Sequence, residues 1–262
     1  MPPVTALSPV EASSVAHHDH DYARQYAEDF VARWDELIDW EKRAAGEGAF
    51  FSDLLRQARA WRVLDVATGS GFHAAQLHKA GFDVTASDGS PTMVDRARHN
   101  LDRLGVAVPV HCCDWQALDP RVLGTFDAVL CLGSSLCHVF DRDERVAVLK
   151  RFRQLLKPGG VLLVDQRNFE AILAGRFSSS GRYYYCGKTA HVCLGELNAA
   201  LCEFIYDFAD GARYRLRVCP IRPRQLQEEL RAAGFRSPHA YGDFQPVYDV
   251  MNADFIVHYA HA

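Results

Sequence analysis

"RVLDVATGSGFHAAQLHKAGFDVTASDGSPTMVDRARHNL", residues 62–101, alternates between two hydrophobic periods. Val63 to Val66 reads as a strand, the stretch around Gly69 and Gly71 as a tight turn, and the residues after it as a helix. Asp83 to Ser87 reads as a second strand, and another helix opens after Ser90. The pattern repeats downstream. "VPVHCCDW" (108–115) and "FDAVLCLGSS" (126–135) read as strands, "DERVAVLKRFRQLLKPGG" (143–160) as a helix stopped by Pro-Gly-Gly, and "VLLVDQRN" (161–168) as a further strand. Apolar strands alternating with helices imply a parallel sheet covered on both faces, a doubly wound α/β fold.

The flanks differ in character. Residues 1–21, rich in Pro, Ser, Ala and His without periodicity, read as a disordered tail. From Tyr22, "YARQYAEDFVARWDELIDW" spaces Tyr22, Tyr26, Phe30, Trp34, Leu37 and Ile38 as an amphipathic helix, with a second short helix from about Gly48. After Phe169, "RYYYCGKTAHVCLGELNAALCEFIYDFADGARYRLRVCPIR" (182–222) alternates like antiparallel strands and carries an Asp210-Gly211 hairpin signal. The chain therefore divides into the tail and one domain, 22–262. Its parts are a helical cap (22–60), a core (61–169), an antiparallel excursion walling the strands' carboxyl ends (170–220), and a final helix and strand (221–262).

Composition narrows the classes. The 262 residues are 48% hydrophobic with a formal net charge of −4, which argues against recruitment to nucleic acid or an anionic membrane. No apolar run spans a bilayer and no leader pattern opens the chain, so the cytoplasm is the expected location. The eight cysteines form no CxxC pair and read as buried thiols. His17, His18 and His20 sit in the polar tail, and no metal is assigned.

In an open α/β sheet, ligands bind beyond the strands' carboxyl ends, where strand order reverses. Gly69 and Gly71 follow the first strand there, and glycines let backbone approach a ligand. Asp88 ends the second strand about 20 residues further on, where a carboxylate accepts from ribose hydroxyls. A dinucleotide would call for a third glycine, but Ala74 occupies that place, and Asp65 before the turn disfavours a pyrophosphate while suiting a cationic amino-acid group. The combination favours S-adenosylmethionine. After the third strand, Asp114 can accept from the adenine amino group. Trp115 can cover its face or serve simply as core.

With "WDELIDW", "RVLDVATGSGFH", "AGFDVTASDGSPTM", "CLGSS", "DQRNFEAIL", "YYYCG" and "YGDFQ", the chain resembles the class I S-adenosylmethionine-dependent methyltransferases, and more closely the glycine and bacterial glycine/sarcosine N-methyltransferases. The resemblance runs from about Tyr22 to Ala260. It implies a seven-stranded, mainly parallel Rossmann-like sheet and methyl transfer to a small amine. Such a displacement needs alignment of a neutral amine with the sulfonium methyl more than it needs a strong base, so no catalytic acid or base is expected.

An amino-acid acceptor needs a cation for its carboxylate. Arg167, at the end of "VLLVDQR", can make a bidentate contact, or can pair with Asp165 or Glu170 instead; Asn168 can steady the loop. The resemblance gives Arg167 the carboxylate. It also implies that Tyr26, Trp34 and Arg43 close over the donor, that Ala67 and Leu132 touch it, and that His138 flanks it or serves as a structural hydrogen-bonder. Tyr185 and Tyr206 either line the acceptor pocket or are ordinary strand tyrosines. One departure stands out: Ser134 falls where the family's turn reads Leu-Gly-Asn-Ser with an acceptor-holding asparagine. The leading expectation is methylation of glycine and sarcosine. The alternatives are another primary amine, such as an amino sugar, an aminocyclitol or another amino acid, and a non-catalytic S-adenosylmethionine sensor. Assembly into a homo-oligomer is compatible with the sequence.

Overall fold

The computed structural model describes residues 22–179 and 188–262. The strands are β1 (Arg62–Asp65), β2 (Asp83–Asp88), β3 (Val110–Cys112), β4 (Phe126–Cys131), β5 (Leu156–Arg167), β6 (Ala190–Leu197), β7 (Cys202–Phe208), β8 (Arg213–Val218), β9 (Arg236–Gly242) and β10 (Phe255–His261). Seven form one sheet in the order β3-β2-β1-β4-β5-β10-β9; β6, β7 and β8 form a separate antiparallel sheet. Neighbours from β3 to β5 are parallel, while β10 runs antiparallel to both β5 and β9. Strand order reverses between β1 and β4, which fixes the crevice at their carboxyl ends. This is the doubly wound, mainly parallel sheet expected from the sequence.

Each central strand is buried on both faces. In β1, β4 and β5, Leu64, Val129 and Leu162 face one core cluster, while Val63, Leu130 and Leu163 face the other. Leu130 is fully buried, so its truncation to alanine would cost about 2–5 kcal/mol. Within the first cluster's layer lies a buried ion pair. Arg145, on the helix Arg142–Gln154, forks onto Glu229 of the helix Pro223–Ala232 at 2.9 and 2.7 Å, with the residues 1% and 0% exposed. The same guanidinium donates to the carbonyls of Val139 and Phe140. These contacts meet the demand that a desolvated charge be paired and hydrogen-bonded.

The cap differs from the single amphipathic helix expected over 22–38. It is broken into Tyr22–Gln25, Glu28–Ala32 and Trp34–Leu37, followed by Trp40–Glu47. Extended backbone at Ala27 makes the first break and at Ile38 and Asp39 the last, while Arg33, at φ −99 and ψ 4, makes the middle one. The breaks let Phe30 and Leu37 pack on Phe208 and Leu216 of the three-stranded sheet while Tyr26 and Trp34 border the crevice. The expected break near Gly48 is a helix end at φ +56, and the next helix is Phe50–Gln57.

Three further readings are corrected. Pro158-Gly159-Gly160 does not precede β5 but lies within it. Between the pairs Phe126–Leu156 and Ala128–Val161, β5 carries extra residues, so the turn is accommodated as an irregularity in the ladder. The end of the chain supplies two strands, not one: β9, with Pro238 and polar neighbours, pairs only with β10, as an edge strand tolerates. The described cysteines are free thiols but not uniformly buried. Cys131, Cys137 and Cys202 are buried, Cys113, Cys193 and Cys219 are half-buried, and Cys112 is exposed because β3 is itself an edge. The tail 1–21, with its histidines, and Cys186 lie outside the described residues. Among the described residues no helix is long and apolar enough to cross a membrane.

Candidate functional site

The turn after β1 is held by backbone bonds into β2. Thr68 N donates to Ser87 O, and Gly69 N, at φ +53, donates to Asp88 Oδ2 at 2.9 Å. Asp88 Oδ1 takes Ser90 N at 2.9 Å, so each carboxylate oxygen keeps capacity for a second donor. Burial lifts the Asp88 carboxyl to about 6 despite those two N–H groups. Gly71, at φ +93, caps the helix Phe72–Lys79, and a Cβ there would come within 3.4 Å of Ala97. Its role in this structure is close packing on the helix Pro91–Arg103, and it does not border the crevice.

Asp114 and Trp115 follow β3. The indole Nε1 of Trp115 donates to Val66 O at 2.7 Å and its ring meets Phe152 edge-on, yet the residue also borders the crevice. Core contacts thus hold this tryptophan at the border of the cavity.

At the end of β4 the chain turns through Ser134, a non-glycine residue at φ +61. Two bonds tie it to β5: its N–H donates to Asp165 Oδ1, and its Oγ accepts from Arg167 N, both at 2.8 Å. Burial raises the Asp165 carboxyl above its ordinary value. A short helical turn, Ser135–His138, then brings His138 Nε2 to 2.9 Å from Tyr26 Oη. Burial lowers His138 to about 4, so the imidazole is neutral and serves as the cap's hydrogen-bond partner.

Arg43 reaches the crevice from the cap. Its Nε bonds Glu47 at 2.6 Å, and Glu47 also meets His73 at 3.0 Å. Burial alone would raise Glu47, but Arg43 and His73 outweigh it and hold the carboxyl at about 2.

Arg167, the last residue of β5, also borders the crevice, with its guanidinium 4.3 Å from the centre of the Phe255 ring. The two acids that the sequence offered it have other contacts: Asp165 accepts from Ser134, and Glu170 pairs with Arg222. Asn168 steadies the loop as expected, accepting from Ala171 N and donating to Val250 O and Ala253 O. Tyr206 of β7 borders the crevice with its ring 5.6 Å from Phe30.

These elements enclose one cavity of about 320 Å³. Among the described residues every expected site residue borders it except Gly71; Tyr185 lies outside the described residues. The sequence reading missed Phe204 and Phe255 on its wall; no local motif marks either, because long-range strand pairing brings them there. Lysine is absent from the described lining, whose arginines are Arg43, bonded to Glu47, and Arg167. Beside the Gly69 turn stand the acids Asp88 and Asp114, a surface hostile to a pyrophosphate and suited to ribose hydroxyls and an adenine amino group. The donor set thus fits a phosphate-free nucleoside.

Known proteins agree with that chemistry. A family model described as a methyltransferase domain matches residues 63–160. The chain is 40% identical to a glycine/sarcosine N-methyltransferase of Aphanothece halophytica over 97% of its own length and 94% of that protein's. It is 39% identical to one of Halorhodospira halochloris over 95% and 93%. A solved S-adenosylmethionine-dependent methyltransferase from Clostridium acetobutylicum ATCC 824 shares the fold, with a TM-score of 0.65 at 16% identity, covering 89% of this chain and 97% of that one. A glycine turn backed by Asp88, a described cavity lining without lysines and near-full-length identity of about 40% converge: the chain belongs to the S-adenosylmethionine-dependent glycine/sarcosine N-methyltransferase family.

Proposed function

We propose that this enzyme methylates the amino group of glycine and then of sarcosine, giving dimethylglycine, with Arg167 holding the acceptor's carboxylate. The observation that carries the reading is the position of Arg167. It ends β5, two strands along the sheet from β1 and its Gly69 turn, and borders the same cavity as that turn beside the apolar Phe204 and Phe255, where a carboxylate gains most from a guanidinium. When bound, S-adenosylmethionine supplies an electrophilic methyl group on a sulfonium.

The chain's residues then have three tasks. Asp88 and Asp114 orient the nucleoside, with Trp115 against the base. Tyr26, Trp34 and Arg43 close the donor side, with Tyr26 held by the neutral His138. Arg167 fixes the acceptor so that its nitrogen faces the donor, while Tyr206 offers an aromatic face to the methylated ammonium product. None of these groups withdraws a proton; placing the neutral amine in line supplies the rate. We place the enzyme in the cytoplasm, where its free thiols stay reduced.

Purified protein given labelled S-adenosylmethionine with glycine, sarcosine or an amino sugar tests the proposal. Turnover of glycine and sarcosine is the expected result. Labelling of the amino sugar alone would overturn the acceptor, and donor binding without any turnover would point to a sensor.

A further inference from the structure

We infer that Phe255 is a positioning residue for the acceptor: its ring is the bed on which Arg167 is held, and a left-handed turn at Asp243–Phe244 braces that bed. The inference rests on the reading of Arg167 as the carboxylate clamp and adds how the clamp is kept in place.

Phe255 and Arg167 are direct partners in the antiparallel pairing of β10 with β5. Directly opposed side chains in such a ladder lie within reach of each other. Here the Arg167 guanidinium carbon sits 4.3 Å from the ring centroid, inside the range of cation–π attraction, and Phe255 is only 6% exposed. The choice of an aromatic partner matters. Arg43, the other arginine of the described lining, is tied through its Nε–H to the carboxylate of Glu47. A ring face instead attracts the cation without accepting its in-plane N–H groups, so it fixes the plane of the fork.

The bed is itself fixed. Asp243 and Phe244 have φ +48 and +65, a conformation that costs a non-glycine residue and that is least expected of an aromatic one. The turn they form is closed by paired bonds between Gly242 and Gln245. Asp243 then takes hold of Phe255 by both backbone groups: its Oδ1 accepts from Phe255 N at 2.9 Å and its N–H donates to Phe255 O at 3.0 Å. Asp243 Oδ1 also accepts from Asp254 N. Phe244 anchors the turn by burying its ring against Phe50 and Phe51 at 5.2 and 5.9 Å. Together with the Ser134 hydroxyl on Arg167 N, the arginine is held at both ends, backbone from β4 and guanidinium from β10.

A double-mutant cycle tests this. Phe255→Leu should raise the Michaelis constant for glycine about 5- to 20-fold, leaving that for S-adenosylmethionine within about twofold, while Phe255→Tyr, which keeps the ring, should stay near wild type. Phe255→Met fills the space without a ring and should match the leucine variant; it also serves if leucine does not fold. In an Arg167→Ala background the same substitutions should add nothing further to the glycine constant. An unchanged glycine constant in the leucine or methionine variant, beside a large rise in Arg167→Ala, would overturn the role of Phe255. So would parallel losses in kcat and donor affinity, or full additivity with Arg167→Ala. If Arg167→Ala itself leaves the glycine constant unchanged, the reading of Arg167 fails instead, and the two failures are thereby distinguished.

Discussion

The side of the crevice proposed to hold the donor and the side proposed to hold the acceptor are built in different ways. The donor turn is local: Thr68, Gly69, Asp88 and Ser90 come from consecutive strands, and backbone N–H groups hold the carboxylate. The acceptor side gathers Ser134 from β4, Arg167 from β5, Tyr206 from the separate sheet and Phe255 from β10, and side chains hold one another. A backbone-held site tolerates change around it, whereas one held by side chains can be retuned residue by residue. That is where a family with one donor would vary its acceptors.

Four substitutions probe the division. Arg167→Ala should have the largest effect, raising the glycine Michaelis constant about 100-fold or more, as expected when one partner of a desolvated charged contact is lost. The donor constant should hardly move; steady-state kinetics showing equal rises would erase the distinction between the sides. Next is pH. Asp88 accepts from ribose hydroxyls best when ionised, and its carboxyl lies at about 6, so donor affinity should be intact near neutrality and fall as pH drops through that value. Between about pH 7 and 5 the donor constant should rise roughly tenfold, and Asp88→Asn should flatten the profile. Calorimetric titration of the donor alone reads this without interference from the acceptor's amine. Third, Gly71→Ala should cost about 1–2 kcal/mol through its positive φ, lowering the melting temperature by roughly 2–6 °C while leaving both Michaelis constants unchanged, since Gly71 packs on Ala97. A selective donor defect would place it in the ligand site after all. The smallest effect is expected of Ser134→Asn. Asparagine suits the left-handed backbone at φ +61 and reaches further, so the glycine constant should fall about two- to fivefold with little change in melting temperature. A higher constant would mean that the serine hydroxyl on Arg167 N matters more than the added amide.

The same contrast governs what was legible in the sequence. That Gly69, Asp88 and Asp114 border the crevice could be read because each sits at a strand end, at a spacing set by the local β-α-β unit. The place of Arg167 on the same border could be read for the same reason. The tie from Ser134 to Arg167 N could not, because it depends on β4 and β5 lying side by side and on a positive φ at a serine. Phe255 was hidden more deeply: "DFIVHYA" reads as a plain apolar strand, and only its pairing across from Arg167 gives one of its aromatics a task. The cap was misread because helical periodicity is insensitive to the breaks at Ala27 and Asp39, which the three-stranded sheet imposes from a distance. Gly71 sits at the expected turn, but its missing Cβ is matched by close packing on Ala97, a neighbour that the local sequence does not reveal.

The insertion of β10 between β5 and β9 also sets an order in time. A ribosome delivers the whole donor turn and β5 well before β10, and protein synthesis is slow compared with local folding. Until Phe255 emerges, Arg167 lacks its proposed bed, so a chain still being made can form the Gly69–Asp88 turn before the proposed acceptor clamp is complete.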